Sequence, residues 1–575
     1  MNPLKPLAAL VRERVRPVAV PLSLAAGAVL AVACFLPWAQ YAGFPGKMML
    51  AGTPGGARLY VLLLALFAGL AAAPLAHRGR ALRAAASLAL SVSLLNLLLI
   101  AYGGGGLVNV GYGVWVAVLA ALLLRVAAAG VQEPADPRPL AASFGPAEPV
   151  LVVLAVGLAL LLFVVGLGIP TSGLLTGNDT EVLGRLSLNQ LTDESQFLSF
   201  VLFLGGTAAG LSRLGVMSLV GTVCQRHRPV LVTAALVAAM AFPFTQNGGS
   251  YSLRIAATVG VFAAAAIGLN VVVGLAGLLD LGYIAFFGIG AYFAAIVSGT
   301  PSSVFHVHLP FALVVVLGAA LSGLFGVLLG APTLRLRGDY LAIVTLGFGE
   351  IFRIASNNLD GTAGPRLTNG PNGVSDVPDL AIGSYDFGAV HTVFGIPLPG
   401  FANYYFLEVL LVAAFMAAFL RLTQSRVGRA WVAIREDEIA AAATGINTTR
   451  LKLLAFGIGA TLAGAAGTVD AHVLVVATPD SFTFFESALL LSAVILGGMG
   501  TVPGALLGAT VLFMLPEKLR FLQDLRLLVF GVALVLLMRF RPEGLVPNKR
   551  RAREFHETGR GDALSAPPGH TEVVV

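Results

Sequence analysis

Residues 421–452 read RLTQSRVGRAWVAIREDEIAAAATGINTTRLK, and long apolar runs flank them on both sides. The stretch carries the bases Arg421, Arg426, Arg429, Arg435, Arg450 and Lys452 and the adjacent acids Glu436, Asp437 and Glu438. One charge at a bilayer centre costs roughly 2.5–3.5 kcal/mol. So many together cannot lie there, so this island sits in water between two membrane spans. Its basic excess places it on the cytoplasmic side, where Arg and Lys accumulate in short loops.

The rest of the 575 residues fits that reading. The chain is 57% hydrophobic and only 11% charged, whereas soluble domains are about 25% charged. It is read as an all-α polytopic membrane protein of about 16 transmembrane or partly broken helices. Lys5, Arg12, Arg14 and Arg16 set the N-terminus inside. Alternation then also puts the basic clusters at 77–83, 226–228, 335–337, the island and 539–553 inside. Both termini are expected to be cytoplasmic, with loops 170–197 and 357–403 outside. The net charge of +7 follows from these clusters and does not point to nucleic acid. The apolar run ending at Cys34 reads as a retained first span rather than a lipoprotein leader, because Ala31 suits such a cleavage site poorly. The expected location is the bacterial cytoplasmic membrane.

Three regions follow. Residues 1–228 form a membrane extension of about six spans with no motif. Residues 229–547 are richer in Gly-punctuated segments and form the expected transport domain. Residues 548–575 are polar, with Pro567 and Pro568, and are expected to be a disordered cytoplasmic tail.

Chemistry is sparse. Gly46 and Lys47 are followed by Met48, so there is no phosphate-binding loop of the Walker type. Cys34 and Cys224 form no zinc spacing or disulfide framework. No catalytic constellation is visible, so the chain is expected to be no enzyme and to hold no metal or cofactor.

Three segments carry the functional signal. Residues 268–293, GLNVVVGLAGLLDLGYIAFFGIGAYF, place Asn270, Gly277, Asp280 and Tyr283 in a run broken by glycines. Glycine lets helices approach closely and tolerates a break. Asp280 either lines a pathway or caps a helix near the cytoplasmic edge. Residues 334–353, LRLRGDYLAIVTLGFGEIFR, start a helix at Asp339 and offer Thr345 as a polar lining candidate. Glu350 either meets substrate or pairs with Arg353 three residues on. Residues 494–510, VILGGMGTVPGALLGAT, hold Gly497, Gly498, Gly500 and Pro503, which interrupt a regular helix. Interrupted segments in the two halves of a transporter point to its path. In the island itself, 434–443 is expected to be one short surface helix. Gly445 should stop it, and Asn447, Thr448 and Thr449 should cap the next span. Its bland reading is a solvated loop.

These segments, with NGPNGVS (369–375), VGRAWVAIREDEIAAAATGI, PDSFTFFESA (479–488) and RPEGLVP (541–547), closely resemble the LivM-type permease of branched-chain amino acid ABC transporters. The resemblance runs from about residue 228 to 547. It implies import of leucine, isoleucine, valine or a related small amino acid or amide by alternating access. It also implies a second, LivH-type permease, two cytoplasmic ATP-binding subunits carrying the ATP and Mg, and an extracytoplasmic substrate-binding protein. Arg435, Glu436, Asp437, Glu438, Ala441, Ala442 and Gly445 would then dock an ATPase. Asn369, Gly370, Pro371, Asn372 and Gly373 would face the binding protein. Thr368 and Asn369 stand where the family tends to place a second glycine. The competing reading is a secondary transporter or channel, against which the acids Asp280, Glu350, Asp470 and Glu486 look scattered.

Overall fold

Apolar runs rich in Ala, Leu and Val, punctuated by Gly, Pro and short charged loops, fold into helices. The computed structural model describes residues 16–546, apart from 39, 42–47, 50–56, 72–77, 104–105, 132–147, 167–198, 200–201, 212–215, 247–249, 304, 306, 335–338, 363–364, 384, 394, 519–527 and most of 529–543. Both termini, the tail after 547, most of the expected last span, Arg335, Arg337 and the loop 170–197 thus lie outside the described residues. Eight described helices are long and apolar enough to cross a membrane, and six more are apolar but only 10–17 residues long. The protein is a multi-pass membrane protein.

The chain divides into two compact units, Met1–Thr245 and Gln246–Val575. The first contains α1 (Ala19–Ala33), α2 (Ala57–Ala71), α3 (Arg78–Gly103), α4 (Tyr112–Gly130), α5 (Glu148–Gly166), α6 (Leu202–Leu211), α7 (Val216–Arg226) and α8 (Arg228–Ala241). Of the expected span 198–224, residues 200–201 and 212–215 lie outside the described residues, and α6 and α7 cover most of the rest. Leu30, Val61, Leu82, Val114 and Leu124 knit α1 to α4 into one apolar core. Glu148 at the start of α5 is buried and accepts from Arg226 at 2.8 Å and contacts His227 at 2.9 Å. A buried carboxylate needs such partners, since an unpaired one is costly.

The second unit contains α9 (Ser250–Leu269), a π-helical stretch Asn270–Leu275, α10 (Tyr283–Val297), α11 (Phe311–Thr333), α12 (Asp339–Asn358), α13 (Gly400–Gln424), α14 (Arg426–Glu436), α15 (Glu438–Ala443), α16 (Thr448–Leu474), α17 (Phe484–Gly497) and α18 (Val502–Lys518). Helix α12 begins at Asp339. Helix α16 is the centre, packed along α9, α10 and α11. Small residues allow this, as is usual between membrane helices. A Cβ on Gly290 would lie 2.1 Å from the Gly464 carbonyl, and one on Gly326 would lie 2.5 Å from Ala460. The opposite face of α11 exposes Val316, Leu324 and Leu328, which suits lipid. Residues 374–375 pair antiparallel with 476–477 and tie the loop between α12 and α13 to the end of α16.

Candidate coupling site at the surface helix pair

The charged island folds as two helices, not one. Ser425 caps α14, its hydroxyl accepting from Gly428 N at 3.0 Å. The break falls at Asp437, which is extended at φ −153°. Its carboxylate accepts from Ile439 N at 2.9 Å and Ala440 N at 3.0 Å, starting α15. An aspartate competes with the helix interior for backbone donors and is a strong N-cap. That is why the helix expected over 434–443 splits here. The other boundaries fall as the sequence implies. Gly445 follows α15 with φ +87°, and Asn447 caps α16 by accepting from Arg450 N at 3.1 Å.

The pair has an inward and an outward face. Trp431 is fully buried and its indole donates to the Leu451 carbonyl at 2.7 Å. Ile434, one turn on, is buried beside it. In α15, Ala441 is buried, while Ile439 is 73% exposed. Two residues span about 200° of a helix, so they face opposite ways. Glu438 pairs with the buried Lys452 at 2.6 Å. Glu436, Asp437, Ala442 and Gly445 are exposed. Of the seven residues expected to dock a partner, Arg435, Glu438 and Ala441 thus spend their contacts within the chain. Ile439 was missed, although its position opposite Ala441 was readable from the helical period.

Arg435 reaches further. Its guanidinium donates to the Gly274 carbonyl at 2.6 Å, inside the π-helical stretch. Its alkyl stem covers Gly277, where a Cβ would lie 2.4 Å from Arg435 Cγ and where φ is +71°. Both the space and the backbone therefore require glycine there. Four residues before Gly274, Asn270 accepts from Gly500 N at 2.7 Å and donates to the Thr501 carbonyl at 3.0 Å. The turn after α17 is closed in turn by Leu545 N on the Leu496 carbonyl at 2.7 Å and Val546 N on the Gly497 carbonyl at 2.9 Å. The two interrupted segments and Leu545 and Val546 of the last motif therefore meet at one place. Arg435 connects the surface helices to it. π-Helical stretches are frequent at functional sites.

The remaining pathway candidates make contacts within the chain. Asp280 is buried and accepts from Gly282 N at 3.0 Å, which is the capping reading. Tyr283 is fully buried and donates to the Gly459 carbonyl at 3.0 Å. The Thr345 hydroxyl accepts from Leu281 N and donates to the Ala342 carbonyl, each at 3.0 Å. Gly497 lies against the carbonyl of Gly504. Glu350 accepts from Arg353 Nε at 3.0 Å, the ion-pair reading. Two buried acids differ from these. Glu408 on α13 and Asp470 on α16 hold carboxylate oxygens with no hydrogen-bond partner among the described residues. Glu408 was not singled out in the sequence, because one acid in an apolar run gives no partner spacing to read.

Residues 251–538 match the family described as the branched-chain amino acid transport system permease component. The chain is 41% identical over 333 residues to the high-affinity branched-chain amino acid transport system permease protein LivM of Salmonella typhimurium, covering 56% of this chain and 75% of that one. It is 40% identical to LivM of Escherichia coli with the same coverage. The chain belongs to the LivM-type permease family. A probable LivM of Methanocaldococcus jannaschii is 26% identical over 314 residues, covering 49% of this chain and 84% of that one. No solved structure matches the chain.

The local departure from the LivM pattern has a physical answer. Asn369 stands at φ 56°, a left-handed conformation that Asn tolerates better than other side chains. Its amide donates to the Ser302 carbonyl at 3.1 Å. Gly370 and Gly373 are buried, and a Cβ on Gly373 would strike the Ala477 carbonyl at 2.3 Å. Only Pro371 and Asn372 of that set are exposed. Elsewhere in the outer loop, Tyr385 donates to Asn403 Oδ1 at 2.8 Å and stacks on His391. Partial burial raises its pKa.

Proposed function

We propose that this chain is a permease subunit of an ATP-binding cassette importer in the bacterial cytoplasmic membrane. Residues 229–547 form the transport domain. It moves branched-chain amino acids, or a related small amino acid or amide, into the cell by alternating access. ATP and Mg bind to two separate cytoplasmic subunits. A LivH-type permease completes the path, and an extracytoplasmic binding protein delivers substrate to the outer loop around Pro371 and Asn372. The relatives' names support the substrate class.

The observation that carries this reading is the two-faced helix pair. An exposed surface of Glu436, Ile439 and Ala442 offers a docking face to a water-soluble partner. Behind it, Arg435 holds the break between α9 and α10 at 2.6 Å. Motion imposed on α14 and α15 is thereby applied to the segments that interrupt the membrane helices. The double variant Glu436→Arg/Ile439→Asp tests it. Co-purification of the ATP-binding subunits and ATP-driven leucine uptake should both be lost, with the melting temperature of the chain unchanged. Retention of both would sink the assignment.

A second reading draws on Glu408 and Asp470, because buried acids inside a membrane bundle are by default candidates for ion or proton pathways. Uptake by the purified chain alone in proteoliposomes, without ATP-binding subunits, would favour that secondary transporter.

A further inference from the structure

The surface helices meet the rest of the second unit at another place besides Gly274. Two consecutive residues of α16 receive them. The Leu451 carbonyl accepts from the Trp431 indole of α14 at 2.7 Å, and Lys452 Nζ lies 2.6 Å from Glu438 Oε1 of α15. The first contact belongs to the buried core. The second is an ion pair between a partly exposed acid and a lysine that is only 7% exposed. A charge taken out of water needs a partner, since leaving it unpaired is costly. Yet exchanging a whole buried pair for apolar side chains of similar volume is often neutral or stabilising. Such a pair adds little stability, and what it does supply is a fixed geometry between the two helices.

The corner between α15 and α16 shows what that geometry does. Residues 444–447 turn the chain through Gly445, which is exposed and has φ +87°. A Cβ placed there would meet open space, so no packing holds the corner. Its hydrogen bonds run back into α15, from Gly445 N to the Ala442 carbonyl at 3.0 Å and from Ile446 N to the Ala441 carbonyl at 3.2 Å. Glycine has the widest backbone freedom of any residue, so this corner can bend. Glu438 stands at the opposite end of α15 from it, on the same helical face as the buried Ala441 three residues on. The ion pair thus braces the far end of α15 against α16 and closes the corner into a triangle. Helix α16 then runs for 27 residues, about 40 Å, alongside α9, α10 and α11.

We infer that Glu438 and Lys452 are positioning residues whose ion pair is a strut across the Gly445 corner, making α15 move as one body with α16. The inference rests on the importer reading above and gives the docking face a second output. Arg435 acts on the break between α9 and α10, and the strut acts on the central helix packed beside them. Ile439 and Ala442, on the other face of α15, stay exposed to a partner while the strut holds.

The test uses the complete transporter, with its ATP-binding subunits, in proteoliposomes and reads leucine imported per ATP hydrolysed. Glu438→Gln/Lys452→Met removes both charges and leaves neither unpaired. Its melting temperature and its co-purification with the ATP-binding subunits should be unchanged, while uptake per ATP falls about fivefold, the lower end of coupling between sites. A merely structural pair would shift the melting temperature and leave that ratio alone. Glu438→Lys/Lys452→Glu rebuilds the pair in reverse and should recover most of the lost ratio. An unchanged ratio in the neutral variant overturns the inference, as does a reversed pair that couples no better than the neutral one. Loss of co-purification in the neutral variant also overturns it, because the two residues would then belong to the docking face. Should the neutral variant not fold, the reversed pair decides alone: a ratio like that of the unaltered chain supports the strut, and a loss of about fivefold overturns it. Absence of ATP-driven uptake by the unaltered chain would be a failure of the importer reading itself, whereas coupled uptake by that chain with an unchanged ratio in the neutral variant removes the strut alone.

Discussion

Arg435 and Glu436 are neighbours in sequence and opposites in structure. The first turns in, donating at 2.6 Å to the carbonyl of Gly274. The second projects into water. The same division runs through the whole helix pair. Trp431, Ile434 and Ala441 belong to the inner face, and Ile439, Ala442 and Gly445 to the outer one. One face is therefore part of the fold and the other is free for a partner. Charge alone does not tell them apart, because both faces carry it.

The comparison can be broken where it predicts stability losses. Trp431→Ala empties a fully buried site and should lower stability by about 3–5 kcal/mol, as large-to-small core changes do. Equilibrium unfolding of the purified chain in detergent measures it, and a change below about 1 kcal/mol would place Trp431 outside the core. Asn270→Ala removes both bonds to the Gly500 and Thr501 backbone. It should cost about 1–3 kcal/mol and speed hydrogen exchange at the 498–501 turn. Unaltered exchange there would separate the two interrupted segments.

Smaller effects sharpen the comparison. Asp437 is exposed, yet its carboxylate caps α15 through two backbone donors. Asp437→Ala should cost about 1 kcal/mol, and Asp437→Asn or Asp437→Ser should restore most of it. If Asn did no better than Ala, the cap would not be what holds the break between α14 and α15. Ile439→Asp lies on the outer face and should leave stability within about 0.5 kcal/mol while ATPase co-purification falls. A large melting shift would mean that the outer face is not free.

Much of this was legible beforehand. The charge contrast of 421–452 against its flanks marked the island, and Gly445 and Asn447 marked its stop and restart, because capping depends on residues close in sequence. The two interrupted segments were visible through Gly277, Gly497, Gly498 and Gly500. Their junction through Asn270 was not, since 230 residues separate the asparagine from Gly500. The pairing of Glu438 with Lys452 was hidden for a related reason: both read equally well as solvated charges. At Asp280 and Glu350 the sequence named capping and pairing beside a pathway role, and the structure shows the bonds to Gly282 N and Arg353 Nε.

The central claim is that Arg435 transmits motion from the docking face to the helix breaks. Arg435→Met keeps the stem over Gly277 and removes the bond to the Gly274 carbonyl. The most direct measurement is leucine imported per ATP hydrolysed by the complete transporter in proteoliposomes containing this variant. The ATP-binding subunits should still co-purify and hydrolyse ATP, while uptake per ATP falls by at least about tenfold, the effect of roughly 1.4 kcal/mol. An unchanged ratio, with full uptake, would contradict the account.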